Sequence, residues 1–312
     1  MEPIDFKLEL DENAQAYHDH LVKQLQQDPQ VLDFLKKNNL DAQILEQRSG
    51  VFDRWLKTIK QCQSCQGLNF CVSKVKGNGC HLSVDDQNFI NEEYIPCRYQ
   101  RLLNDQLAHK ENFTFSHMQN QDYLVSFEAL SPTLAQESKA YLVAYAQAVA
   151  SINMPHGCLF YGQPGTGKST LMMALANALA KQGKRIVYVR VPLLISELKE
   201  NLKDNEFYQK TLTRMRLADV LFLDDFGSES VSRWSRDDIL FPVLDERMNN
   251  HRKTYFASNV NISELEAIYS VFEGSALGGV AAKRLIDRVT TLAQTVELTG
   301  VSRRQSPSAS QL

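Results

Sequence analysis

The chain has 312 residues, more than one typical domain of roughly 100–200 residues and enough for about two. Hydrophobic residues make up 43% and charged residues 23%, which excludes a fibrous or wholly disordered polymer. A formal net charge of -3 excludes a globally basic nucleic-acid binder but leaves room for a local basic groove.

The opening Met1-Glu2-Pro3-Ile4-Asp5 lacks the basic start and apolar run of a signal peptide. No stretch reaches the roughly 18 apolar residues that span a bilayer, so the chain reads as cytoplasmic with no membrane span. Across residues 12–61, Leu21, Leu25, Val31, Leu35, Phe52, Trp55, Leu56 and their neighbours recur at spacings of three and four. That period predicts a small helical bundle, interrupted at Asp28-Pro29 and Asn38-Asn39. Five of the six cysteines then fall between Cys62 and Cys97, a clustering that in a reducing compartment points to metal. Zinc takes four soft or borderline ligands in a tetrahedron, and Cys62-Gln63-Ser64-Cys65 supplies two from one knuckle. The expected Zn2+ set is Cys62, Cys65, His81 and Cys97, with Cys80 or Cys71 as substitutes. A redox pair is the rival, weakened because no thioredoxin-like βαβ pattern surrounds it. Residues 1–105 therefore read as a small helical zinc-binding domain, and the polar residues 106–130 as a linker.

From 131 to 301 helical stretches separate short apolar runs at 158–161, 185–191, 220–223, 254–257 and 295–298. The expected fold class is α/β, a parallel sheet flanked by helices. The polar residues 302–312 read as a disordered tail. The first apolar run ends in Gly162-Gln163-Pro164-Gly165-Thr166-Gly167-Lys168-Ser169, followed by Thr170, and fits the P-loop consensus at every defined position. Glycines there let successive N–H groups aim at the phosphates of ATP, Lys168 reaches the β- and γ-phosphates, and Ser169 can hold Mg2+. A helix over 169–181 adds its positive end. The run ending at 223 delivers Asp224 and Asp225 at the same edge of the sheet, Asp224 to hold Mg2+ through coordinated water and Asp225 to act as general base. Asn259, closing the next run, can orient the lytic water. Arg284 and Arg288 share one face of a later helix, and an arginine offered to a neighbouring subunit's γ-phosphate would make the active form an oligomer.

Together, Cys62-Gln63-Ser64-Cys65-Gln66-Gly67-Leu68, Tyr94-Ile95-Pro96-Cys97, the loop at 162–169, Asp224-Asp225-Phe226-Gly227, Ser258-Asn259 and Arg284-Leu285-Ile286-Asp287-Arg288 resemble the DnaC/DnaI group of bacterial helicase loaders, within the AAA+ ATPases. The resemblance spans most of the chain. It implies an AAA+ P-loop domain behind an N-terminal domain that binds the hexameric replicative DNA helicase. It further implies delivery of that helicase to single-stranded DNA in replication initiation or restart, self-assembly in the helicase complex, contacts with other primosome or initiator proteins, and ATP turnover that times release. By the same resemblance Asp224 and Asp225 form Walker B, Asn259 is sensor 1, and Arg288, ahead of Arg284, is the arginine finger. Three other readings stay open. A P-loop kinase would need an acceptor pocket and an arginine-bearing lid that the sequence does not offer. A transposase-helper-type AAA+ ATPase is disfavoured by the cysteine-bearing domain. A nucleotide-switched adaptor with little hydrolysis is kept alive by Asp225, since many related ATPases carry Glu there. For DNA, Lys199, Lys203, Lys210, Arg214 and Arg216 are interleaved with Glu197, Glu200, Asp204 and Glu206, so a solvated helix face is an equal reading.

Overall fold

Helix α1 (Glu12–Leu25) begins the part of the chain that the computed structural model describes, which comprises residues 12–270, 276–300 and 302. The Asp28 side chain then accepts from the N–H groups of Gln30 and Val31, and Pro29, which has no donor to satisfy, opens α2 (Pro29–Lys37). Asn38 caps the far end, and Asn39 takes a left-handed φ of 53° that lets the chain reverse into α3 (Ile44–Gln63). Val22, Leu25, Val31, Leu35, Leu45, Phe52 and Leu56 face inward together, with Phe34, Phe52 and Trp55 meeting edge to face or tilted.

The cysteine region adds a hairpin that helical periodicity does not predict. Strands β1 (Asn78–Val84) and β2 (Ile90–Pro96) pair antiparallel, and the turn is closed by Asp85 Oδ1, which accepts from the N–H groups of Gln87 and Phe89. Helix α4 (Arg98–Leu107) follows, and the chain divides into two compact units between Gln106 and Leu107.

Of residues 106–130, expected as a linker, all but Gln106 fall in the second unit. Phe113, Met118, Tyr123 and Phe127 pack into its core, and β3 (Phe113–Ser116) pairs parallel with β5. After α5 (Phe127–Leu130) and α6 (Lys139–Ser151), the second unit runs β4 (Gly157–Tyr161), α7 (Lys168–Lys181), β5 (Ile186–Arg190), α8 (Val191–Glu200), α9 (Asn205–Leu217) and β6 (Val220–Asp224). It then continues through α10 (Phe241–Asn249), β7 (Lys253–Ser258), α11 (Ile262–Ser270), α12 (Ala276–Leu292) and β8 (Ala293–Glu297). The strands form one six-stranded sheet in the order β3-β5-β6-β7-β4-β8, every neighbouring pair parallel.

Side chains alternate across such a sheet, and both faces are buried. Leu159, Val187, Val189, Leu221, Leu223 and Phe256 enter one core with α8, α9, α10 and α12. Phe160, Ile186, Tyr188, Val220, Phe222 and Tyr255 enter the other with α6 and α7. On that second face Tyr188, Phe222 and Tyr255 stack across three adjacent strands, with centroids 5.7 and 4.8 Å apart. The expected tail, 302–312, lies outside the described residues except for Ser302. No helix among the described residues is long and apolar enough to cross a membrane.

Candidate nucleotide-binding site

The carboxyl edge of β4, β5, β6 and β7 carries the site, where open parallel sheets bind their ligands. Between β4 and α7 the loop turns sharply. Gly162 has φ 141°, and a Cβ there would stand 2.1 Å from the Leu298 carbonyl oxygen, so only glycine fits. Gly167, at φ 100°, is the N-cap of α7 and leaves the first N–H groups of that helix pointing into the loop. Lys168 is buried, and its Nζ donates to the carbonyls of Gly162 (2.7 Å) and Gln163 (2.9 Å), while the Thr166 hydroxyl donates to Gln163.

Asp224 ends β6 at 2% exposure, with both oxygens engaged. Ser169 donates to Oδ1 at 3.0 Å, Tyr188 to Oδ2 at 2.9 Å, and the Asp225 N–H also reaches Oδ1. Burial, and then the charge of Asp225, hold this carboxyl above the usual carboxylate range against those hydrogen bonds. Burial also pushes the Tyr188 phenol well up, seconded by the Asp224 charge. The Ser169 hydroxyl and the Asp224 carboxylate form the oxygen pair that suits a hard divalent cation such as Mg2+.

Asp225 adopts a left-handed φ of 55°, uncommon for a residue with a side chain, and this turns its carboxylate out of the β6 line. Its Oδ2 lies 3.6 Å from Arg190 Nη2, across a cavity of about 340 Å³ lined by Pro164, Gly165, Gly167, Lys168, Ser169, Thr170, Arg190, Asp225 and Asn259. Loop residues, Asp225 and Asn259 thus line one cavity. Asn259 Nδ2 donates to Ser228 Oγ at 3.4 Å, which ties β7 to the turn after β6. Tyr188 and Arg190 were not anticipated. Their signal was a polar-tipped residue and a charged one near the carboxyl end of an otherwise apolar strand.

Arg288 does not line this cavity. It donates through Nε to Asp245 at 3.0 Å, and both Arg288 and Arg284 lie over the Phe241 ring, at 5.1 and 4.6 Å.

In the first unit, Cys62, Cys65, Cys71, Cys80, His81 and Cys97 all border one cavity of about 440 Å³. The expected zinc quartet Cys62, Cys65, His81 and Cys97 is nevertheless not assembled: among the described residues, no group of three or more His, Cys, Asp or Glu side chains is gathered to hold a metal. Cys80 and His81 are successive residues of β1, Cys80 buried and His81 exposed, so they point to opposite faces. Burial pushes the Cys62 thiol up, seconded by the charges of Cys65, Cys71 and Cys97.

A glycine loop between strand and helix, a buried carboxylate facing its serine, and a second carboxylate and an amide across one cavity define a P-loop nucleotide-binding protein with an AAA+ type domain. The family model described as IstB-like ATP binding protein matches residues 96–310, and the chain belongs to that family. It is similar to the "Replicative helicase loader DnaI" of Bacillus subtilis, 28% identical over 293 residues that cover 92% of this chain and 93% of that one. Among solved structures it resembles "Crystal Structure of the DnaI", with TM-score 0.51 and 30% identity over 59% of this chain and 96% of that one. A putative primosome component from Streptococcus pyogenes shares the fold, with TM-score 0.51 at 24% identity over 64% of this chain and 99% of that one.

Proposed function

We propose that this chain is an ATPase that loads the replicative DNA helicase onto single-stranded DNA, with ATP binding and hydrolysis timing its release. The observation that carries the reading is the extent of the likeness to the Bacillus subtilis loader. Coverage of 92% cannot be reached without most of the first unit, whereas the ATP-binding family model starts at residue 96. A transposase-helper ATPase shares the second unit and gives no account of the first.

The site chemistry supports hydrolysis. Loop N–H groups and the α7 terminus cradle the phosphates, and Lys168 moves from its two carbonyl partners to the β- and γ-phosphates. Ser169 and Asp224 hold Mg2+, which supplies charge neutralisation across the phosphates when bound. Asp225 takes the proton of the attacking water and Asn259 orients that water, as the water oxygen bonds phosphorus and the bond to the bridging oxygen breaks. Beyond the loop, a second cavity lined by Gln136, Glu137, Tyr141, Thr166 and Thr299 is the place for base and ribose. Arg288, held by Asp245 and Phe241, is the residue a neighbouring copy would receive. In the first unit Cys62, Cys65, Cys71, His81 and Cys97 border one cavity and have the donor chemistry of a structural zinc site, the first two with His81 and Cys97 as the expected set and Cys71 as a substitute.

Size-exclusion chromatography with the replicative helicase of the same cell tests the reading: the full chain comigrates with it, and so does the fragment 1–106. If neither binds, the loader reading fails. Lys168→Ala abolishes nucleotide binding and nucleotide-dependent release while leaving helicase binding intact.

A further inference from the structure

We propose, on the ATPase reading of this site, that Tyr188 decides which divalent cation the site takes. Its hydroxyl holds one oxygen of Asp224 and leaves a single carboxylate oxygen beside Ser169, a donor set that serves a small octahedral ion such as Mg2+ or Mn2+ and serves Ca2+ poorly.

The Asp224 carboxylate divides its oxygens between two sides. Oδ1 accepts from the Ser169 hydroxyl and from the Asp225 N–H, both at 3.0 Å, and those two residues line the phosphate cavity. Oδ2 accepts from the Tyr188 hydroxyl at 2.9 Å, within the core that α6 and α7 form with the sheet. Tyr188 is 0% and Asp224 2% exposed, so no bulk water competes for that bond. A cation that meets Ser169 in the cavity therefore finds Oδ1 available and Oδ2 committed.

The phenol is also held in place. Tyr188 pairs in register with Phe222, and Asp224, two residues further along β6, shares the same face of the sheet, within diagonal reach of a long side chain. Its ring stacks on Phe222, which stacks in turn on Tyr255. The Tyr255 hydroxyl is bonded to the Ser151 carbonyl at 3.2 Å and to Ser151 Oγ at 3.0 Å. The row of three rings is thus clamped at both ends, by Asp224 at one and by the end of α6 at the other.

Such rigidity matters because the two ions ask different things of a carboxylate. Ca2+ takes roughly six to eight oxygens and is often gripped by both oxygens of one carboxylate, whereas Mg2+ keeps several of its waters and needs few protein oxygens. With Oδ2 held, Asp224 offers one oxygen and cannot turn to offer two. Without the hydroxyl, Oδ2 becomes a desolvated acceptor whose best remaining partner is the cation itself, and the site relaxes toward Ca2+.

The full chain is titrated with a fluorescent non-hydrolysable ATP analogue in Mg2+, Mn2+, Ca2+ or EDTA. In the parent, Mg2+ and Mn2+ support binding within about threefold of each other, and Ca2+ supports it about tenfold less well. Tyr188→Phe keeps the stacked ring and lowers the preference for Mg2+ over Ca2+ about tenfold, the scale of one hydrogen bond to a charged group. Tyr255→Phe removes an equally buried hydroxyl from the same row without touching Asp224, and leaves the preference at the parent value. An unchanged preference in Tyr188→Phe, the same fall in Tyr255→Phe, or a parent that binds equally well in Ca2+ and Mg2+ overturns the proposal. A parent whose binding is the same in EDTA and in Mg2+ instead sinks the reading of Ser169 and Asp224 as the cation pair beneath it.

Discussion

At the scale of single residues the site turns on one buried carboxylate. Asp224 is served by Ser169, Tyr188 and a backbone N–H, so each donor removed leaves a desolvated acceptor short of a partner. Tyr188→Phe should cost about 1–3 kcal/mol in chemical denaturation and weaken Mg2+-dependent nucleotide binding. Glu229 offers a pH test. Its buried carboxyl accepts from the Gly227 N–H and the Tyr269 hydroxyl, and burial holds it above its ordinary range. A raised acid contributes stability that is complete below the unfolded value and is lost as pH rises through the folded one. Glu229→Gln, neutral throughout, should therefore melt higher than the parent at pH 8, and the gap should close as pH falls toward 5. The loop, Asp224, Asp225 and Asn259 were legible because their roles are tied to spacing and to the ends of apolar runs. Tyr188 was not, because an aromatic inside a strand is ordinary core filler until its hydroxyl is seen to have a partner.

Elements tell a different story, since residues 107–130, within the 106–130 stretch that looked like a linker, form a wall of the second unit. Polar side chains tie it to the rest of the unit. Asn112 donates to the Ala180 carbonyl, and Asn177 of α7, 1% exposed, donates to the carbonyls of Asp122 and Val125 and lies 3.2 Å from His109. A composition rich in Asn, Gln and His therefore disguised a strand of four residues and its anchors. The β1–β2 hairpin was hidden in a related way, its alternation masked by cysteines read for their metal chemistry. Two outcomes follow at this scale. A fragment beginning at Leu107 should melt cooperatively by circular dichroism, whereas one beginning at Ser131, without β3, should not. Asn177→Ala removes both donations, from the part-buried Val125 carbonyl and from the Asp122 carbonyl that keeps the Val125 N–H, and should destabilise the second unit by about 1–2 kcal/mol.

For the whole molecule, the division at Gln106 sets the expectation of two separate thermal transitions. ATP with Mg2+ at about 100 times its Kd should raise only the second, by about 2.7 kcal/mol, because only that unit holds the loop. A zinc chelator should lower only the first; a first transition indifferent to chelation, with no metal in the purified protein, would remove zinc from the account. The strand that leads into the glycine loop also has an awkward place in time. Strand β4 lies between β7 and β8, so nearly a hundred residues separate its synthesis from that of its first neighbour. At the usual pace of translation that is a wait of roughly 5–20 s. For that interval the glycine loop hangs from an unpaired strand on the ribosome, and Asp224, made late in it, is not yet beside it. Nucleotide thus cannot template the nascent chain, and ATP first meets this protein as a nearly finished sheet.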